Sequence, residues 1–180
     1  MSVFEGRLKD GRTLRIGHAK LEDAAELLAY ARRAGGESDF LSFGAGELDM
    51  TVEDEAAFIA NLEGGRHHFM LTGVVDGAIV SACSITRGKR SRLCHIGTFG
   101  ISVARSHWGL GVGRRMCLAM LDVARQVGVT RVELRVRADN AKAIHLYESV
   151  GFAREGVAPR GIRIGEEYFD DVMMGMGLGG

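Results

Sequence analysis

Proline is almost missing from this chain: Pro159 is the single one in 180 residues. No stretch reads as a proline-rich linker, and no internal repeat divides the sequence. Cysteine is scarce as well. Cys83, Cys94 and Cys117 stand far apart and show no C-x-x-C spacing. That pattern argues against a zinc site and a disulfide scaffold, and fits three reduced thiols. An excess of either charge is also lacking, since 23 Lys and Arg balance 23 Asp and Glu. There is thus no electrostatic footprint for nucleic acid. No apolar run approaches the ~18 residues of a membrane span. Met1–Lys9 lacks the apolar centre of a secretory leader. The expectation is a cytoplasmic protein with no metal, membrane or nucleic-acid partner.

Glycine, by contrast, is plentiful. There are 26, roughly twice the usual 7%, so turns and close backbone contacts are in heavy use. With 46% hydrophobic and 26% charged residues the composition is that of a folded globular chain. Its length suits one domain spanning 1–180.

Asp10-Gly11 and Asp76-Gly77 each sit between two short extended runs, Val3–Lys9 with Arg12–His18 and His68–Val75 with Ala78–Thr86. Both predict hairpins. Ala24, Leu27, Leu28 and Ala31 recur at helical spacing, predicting a helix over Leu21–Ala34 that Gly35 and Gly36 end. Thr51 and Asp54 form a capping signal for a helix over Val52–Leu62, closed by Gly64 and Gly65. Leu93–Val103 reads as a strand, Val112–Val127 as a helix with Gly128 at its end, and Arg131–Arg137 as a half-buried alternating strand. Ala138–Val150 reads as a helix. Phe152–Val157 and Glu167–Gly175 read as strands with a turn over Gly161–Gly165, and Gly175–Gly180 as a frayed tail. Antiparallel hairpins precede a strand–helix–strand–helix run, so the fold class is mixed α/β (α+β) rather than a plain alternating array.

The central feature is the strand ending at Val103, followed by Gly109-x-Gly111-x-Gly113 and then a helix. Bare glycine backbone beside a helix N-terminus offers unpaired N–H donors and a partial positive charge, which together suit a pyrophosphate. Arg114 and Arg115 would add charge at the rim. A plain strand-to-helix turn explains the same glycines. The spacing is neither that of a P-loop nor G-x-G-x-x-G.

Downstream lies Arg137-Ala-Asp-Asn-Ala-Lys-Ala-Ile-His-Leu-Tyr147-Glu-Ser-Val-Gly-Phe152. From Leu93 to Met176 the chain resembles the GNAT acetyltransferase superfamily, whose second signature has Asn, Ala, Tyr and Gly-Phe at this spacing. The resemblance implies one domain with a mostly antiparallel mixed sheet flanked by about four helices. It also implies acetyl-CoA as cosubstrate, with no metal. The cofactor would lie along Ile101 and Val103, on the turn Trp108, Gly109, Gly111, Val112, Gly113 and Arg114, and against Asn140. Trp108 departs from the family pattern, which usually has Arg or Gln there. The splayed end of the Ile101–Val103 strand would offer backbone partners to the two amides of a pantetheine arm. Asn140 also reads as a helix N-cap.

The same resemblance gives Tyr147 the part of general acid. Its phenol, with an ordinary pKa of ~10, is protonated at neutral pH. A core tyrosine beside Ile144 and Phe152 is the other reading. The segment Glu37–Asp49 is apolar and acidic with no basic residue, which predicts a pocket wall. Glu37 there is the candidate to hold an ammonium or take its proton, with Phe40 and Phe43 flanking the acceptor; a solvated glutamate fits equally. His95, in the predicted central strand, is a second candidate base or a buried core histidine. The expected partner is a small-molecule primary amine, an amino acid or similar metabolite. Acetylation of a protein N-terminus, as by ribosomal-protein acetyltransferases, is an alternative. So is a non-catalytic acyl-CoA-binding module, against which Asn140 and Tyr147 together argue. Relatives are often homodimers.

Overall fold

The computed structural model describes residues 2–64 and 67–179. Gly65, named above as a helix stop, and the terminal residues Met1 and Gly180 lie outside that range. The elements run β1 (Ser2–Arg7), β2 (Thr13–His18), α1 (Ala24–Glu37), α2 (Val52–Gly64), β3 (His68–Val75), β4 (Ala78–Arg87) and β5 (Ile96–Val103). They continue with α3 (Val112–Gln126), β6 (Arg131–Arg137), α4 (Ala141–Ser149), β7 (Ala153–Ile164) and β8 (Glu167–Gly177). The strands form one open eight-stranded sheet in the order β1-β2-β3-β4-β5-β6-β8-β7. Every neighbouring pair is antiparallel except β5 with β6.

Both Asp-Gly hairpins form. At the second, Asp76 and Gly77 both take positive φ, 51° and 82°, the pair of left-handed residues that a primed two-residue turn requires. The capping signal of α2 is realised reciprocally. Thr51 N donates to Asp54 Oδ2 at 2.8 Å and Asp54 N to Thr51 Oγ1 at 3.1 Å, satisfying two helix-end donors.

Alternation sorts the helices onto two faces of the sheet. Tyr30 of α1 hydrogen-bonds Ser102 Oγ at 2.9 Å, on one face of β5. Phe99, of opposite parity, meets Tyr147 of α4 edge-on at 6.2 Å between ring centres, on the other face. Cys83, opposite Ile101 on β4, contacts the Met116 carbonyl of α3. Thus α3 and α4 cover one face while α1, with α2 packed on it, covers the other. Met116, Cys117, Met120 and Ala124 of α3 are fully buried against the sheet.

The feature that positions the site is the parting of β5 from β6. They pair only at Ile96–Arg131, Gly97–Val132 and Thr98–Glu133. Beyond that, β5 stays with β4 as far as Val103–Ser81, while β6 stays with β8 as far as Arg137–Asp171. The two inner edges open into a fork whose closed end lies at Thr98 and Phe99.

Several boundaries differ from expectation, and α4, expected from Ala138, begins at Ala141 after its Asn140 cap. α1 runs through Gly35 and Gly36 to Glu37. A Cβ on Gly35 would sit 2.9 Å from the Phe43 ring and 3.0 Å from the Gly44 carbonyl. Gly35 therefore lets the following segment pack on the helix instead of stopping it. β5 begins at Ile96, because Ser91–His95 is a turn closed by Ile96 N to Leu93 O. β7 continues through the predicted turn to Ile164. Pro159–Gly161 forms a bulge in it, with Arg160 at φ 54°, a place where a proline's missing N–H costs nothing. Finally, β8 reaches Gly177, paired with Arg131, so Gly175–Gly177 is strand and not tail.

The two helix glycines separate cleanly by test. A Cβ on exposed Gly36 would meet only Ala45 Cβ, at 3.8 Å. Gly36→Ala should stabilise by about 0.4–1 kcal/mol. Gly35→Ala should destabilise by about 1–3 kcal/mol, because Phe43 and Gly44 must move. Urea denaturation of both variants checks the opposite signs.

Candidate active site

A cleft of about 2680 Å³ follows the fork and opens on both faces of the sheet. Its first wall is backbone. Ala104 N donates to Val80 O at 2.8 Å, which fixes the phase of the β4–β5 ladder. By the alternation of an antiparallel pair, Ile101 and Val103 then turn their N–H and C=O groups away from β4 and into the fork. One of these four groups is already engaged: the Val103 carbonyl accepts the Trp108 indole N–H at 2.7 Å. Trp108 thus closes the open end of β5, and its ring remains 42% exposed.

The turn after it reverses the chain with Gly109 at φ 76° and Gly111 at φ 90°, conformations costly for a residue with a Cβ. Gly111 leads into α3 with no side-chain cap. The first intrahelical donor is Arg115, to Gly111 O at 3.3 Å. The N–H groups of Val112, Gly113 and Arg114 therefore precede the helix ladder and remain for an anion. The glycines divide their work. Gly113 is needed for packing, since a Cβ there would lie 3.0 Å from Leu146 of α4. Val112 is buried beneath the turn, and Arg114 is exposed at the cleft rim. Arg115 is not a rim charge: its guanidinium bonds the Gly111 and Arg7 carbonyls and ties α3 to β1.

Across the fork, Asn140 caps α4, its Oδ1 accepting Ala143 N at 3.1 Å. The side-chain amide donors face the cleft region without a partner among the described residues. Two turns on, Tyr147 is 7% exposed and sits at the closed end of the fork, in edge contact with Phe99 and Phe152. Burial, with Cys117 and Cys83 nearby, pushes its phenol well above the usual range. Such a group stays protonated through neutral pH and keeps its O–H as a hydrogen-bond donor.

On the other face, Phe40 and Phe43 line the cleft and Glu37 does not. Glu37 is the last residue of α1. Its Oε2 accepts the Arg105 N–H at 2.8 Å, and Oε1 lies 3.9 Å from Arg33 Nε. It ties α1 to the turn that follows β5. His95 precedes β5, is exposed, and offers its carbonyl to Thr130 and Arg131. It stands at the end of β5 opposite Val103 and is no part of the cleft.

Two residues escape sequence reasoning. Arg137, 8% exposed at the end of β6, is stacked between Phe40 at 4.6 Å and Phe169 at 3.9 Å. It donates to Asp139 and to the Asp39 carbonyl at 3.0 Å, and so pins the α1–α2 segment over the sheet. Its strand alternation marked it only as a polar position. Tyr30, bonded to Ser102 Oγ, lines the cleft floor; burial pushes its phenol up to about 12. Nothing in its helical spacing distinguished it from core.

This forked sheet with a glycine-turned helix is that of an acyl-group-transfer fold. The chain belongs to the acetyltransferase (GNAT) family, whose model matches residues 25–152. It is 32% identical over 105 residues to the L-amino acid N-acetyltransferase AaaT of Escherichia coli, covering 58% of this chain and 65% of that protein. It is 37% identical over 122 residues to the N-alpha-acetyltransferase RimI of Mycobacterium tuberculosis, covering 66% of this chain and 75% of that one. Among solved structures, a GNAT-family acetyltransferase from Streptococcus pneumoniae superposes with a TM-score of 0.88 at 32% identity, over 92% of this chain and 99% of that one. The acetyl-CoA complex of yncA from Salmonella typhimurium shares the fold, with a TM-score of 0.82 at 18% identity over 92% and 94%.

The turn gives a direct test. In Gly111→Ala the added Cβ meets Arg115 Nη1 at 2.5 Å at a left-handed φ. Stability should fall by about 1–2 kcal/mol, and acetyl-CoA affinity should fall with it. Calorimetric titration of the folded variant checks this; an unchanged Kd would place the phosphate cradle elsewhere.

Proposed function

We propose that the chain transfers an acetyl group from acetyl-CoA to the primary amine of a small molecule, an amino acid or similar metabolite. The observation that carries this reading is the run of groups along the fork. Helix N–H donors and the glycine turn stand at its open end, the Ile101 backbone groups and the Val103 N–H along its edge, and a protonated tyrosine at its closed end. A diphosphate, a chain of amides and a thioester sulfur come in that order. Acetyl-CoA supplies the activated acyl group as substrate.

The residues then divide the task. Val112, Gly113 and Arg114 receive the diphosphate at the α3 N-terminus. Ile101 and the N–H of Val103 orient the pantetheine arm as an added strand would. Asn140 holds the same arm through its free amide. Tyr147 keeps its O–H through neutral pH, because burial disfavours the phenolate, and presents it to the departing thiolate as general acid. Glu37 enters as a positioning residue, fixing the Arg105 turn that leads to the glycines. Phe40 and Phe43 form the apolar wall facing the acceptor.

The relation to RimI favours a second reading, a peptide N-terminus as acceptor. The α1–α2 segment, pinned by Arg137 against β6, supports the smaller acceptor, since a peptide needs an open groove. Thiol release from acetyl-CoA, measured with free amines and with short peptides, decides between them. A higher kcat/KM on peptides would reverse the preference, and no release with either would reject both.

Tyr147→Phe removes one oxygen and keeps the ring against Phe99. Acid catalysis is worth ~100- to 10,000-fold, and a thiolate is an undemanding leaving group, so kcat should fall by roughly 100-fold. Acetyl-CoA affinity should hold. Full kcat in steady-state assays with chemistry rate-limiting would make Tyr147 a packing residue.

A further inference from the structure

The first turn of α2 carries three acids, Glu53, Asp54 and Glu55, with different surroundings. Glu53 is exposed, and Asp54 is spent on the Thr51 cap. Glu55 is only 8% exposed. It lies four residues before Ile59, which is fully buried, so both point inward from one helix face. Its N–H is used within the helix, bonding Thr51 O at 3.1 Å. Its carboxylate has no hydrogen bond or ion pair among the described residues.

The surroundings sharpen the anomaly. Glu55 lines the same cleft as Leu28, Ala31, Met50, Phe58 and Met70, and belongs to α2, which packs on α1. The bases on α1 that could neutralise it are committed elsewhere. Arg32 bonds the Leu48 and Met50 carbonyls, the latter at 2.7 Å, and Arg33 faces Glu37. The helix N-terminus favours an acid in the first turn, but the exposed Glu53 and capping Asp54 already meet that preference. Burial pushes the Glu55 carboxyl above its ordinary value, with no compensating cation. The side chain is largely buried while its carboxyl group reaches the cleft, where an ammonium would supply the charge partner that the described residues do not.

We propose that Glu55 binds the ammonium form of the acceptor, and that the acceptor is a primary amine carried on an apolar stem. This rests on the amine-acetylation reading above and names the acceptor's chemistry. An ammonium brings the missing charge and three donors to the carboxylate. Apolar residues that line the same cleft, Leu28, Met50, Phe58 and Met70 among them, take the stem.

The test begins with wild-type protein, acetyl-CoA and a panel of primary amines (free amino acids, alkylamines and polyamines), read by thiol release. The best acceptor is then titrated against Glu55→Gln, which keeps the shape and removes the charge. Acceptor KM should rise roughly 10- to 100-fold, with acetyl-CoA Kd by calorimetry unchanged and thermal stability equal to wild type or higher. Glu55→Asp, which keeps the charge, should show a smaller rise. An unchanged acceptor KM in Glu55→Gln, with an active wild type, overturns the role of Glu55 and leaves amine acetylation standing. A Glu55→Gln protein that does not fold also overturns it, since the carboxylate would then have a structural partner. A wild type that acetylates no amine overturns the functional reading itself, and this proposal with it.

Discussion

Everything in the cleft depends on an interaction that stops short, the β5–β6 pairing that ends after Thr98 and Glu133. A buried strand edge normally cannot remain unpaired, because each free N–H and C=O loses its partner water. Here both strands keep their outer partners, β4 and β8, to their ends. Only the inner edges give up their bonds. The fold thus leaves unpaired strand backbone inside the slot, where an amide-bearing ligand can replace the missing strand.

The elements around the slot brace it open. Trp108 holds the outer end of β5 through the Val103 carbonyl, and Glu37 holds the turn that follows. Arg137, stacked between two aromatic rings at the end of β6, anchors the α1–α2 segment. Arg115 ties the start of α3 to β1. None of these side chains is free to meet a ligand with its main polar groups. Their part is to fix the spacing between backbone groups that are.

The hairpins, the α2 cap, α3 and the strand–turn–helix order were legible in the sequence because local chemistry determines them. Asp76-Gly77 needs no distant partner to turn. The glycine turn and the Asn140-to-Tyr147 spacing were visible as motifs, and they stand on the two walls of the fork. The acceptor side was far less legible. Glu37 seemed to open a loop because Gly35-Gly36 read as a helix stop. What Gly35 answers to is the Phe43 ring, a contact that no local pattern encodes. Arg137 looked like the polar half of an alternating strand, yet tertiary packing buried it. His95 read as part of the central strand Leu93–Val103, whereas a turn delays that strand to Ile96. Each of these depends on contacts far apart in the chain.

Trp108 is the single tryptophan in the sequence, against three tyrosines. Its indole N–H bonds the last carbonyl of β5 while its ring stays partly open to solvent, with the Arg105 guanidinium 5.9 Å above. The chain therefore carries one dominant fluorophore, and it stands at the mouth of the slot. On the proposed reading, a nucleotide settling on the glycine turn would change the polarity around that ring, and the emission of the unmodified protein would report occupancy without a label.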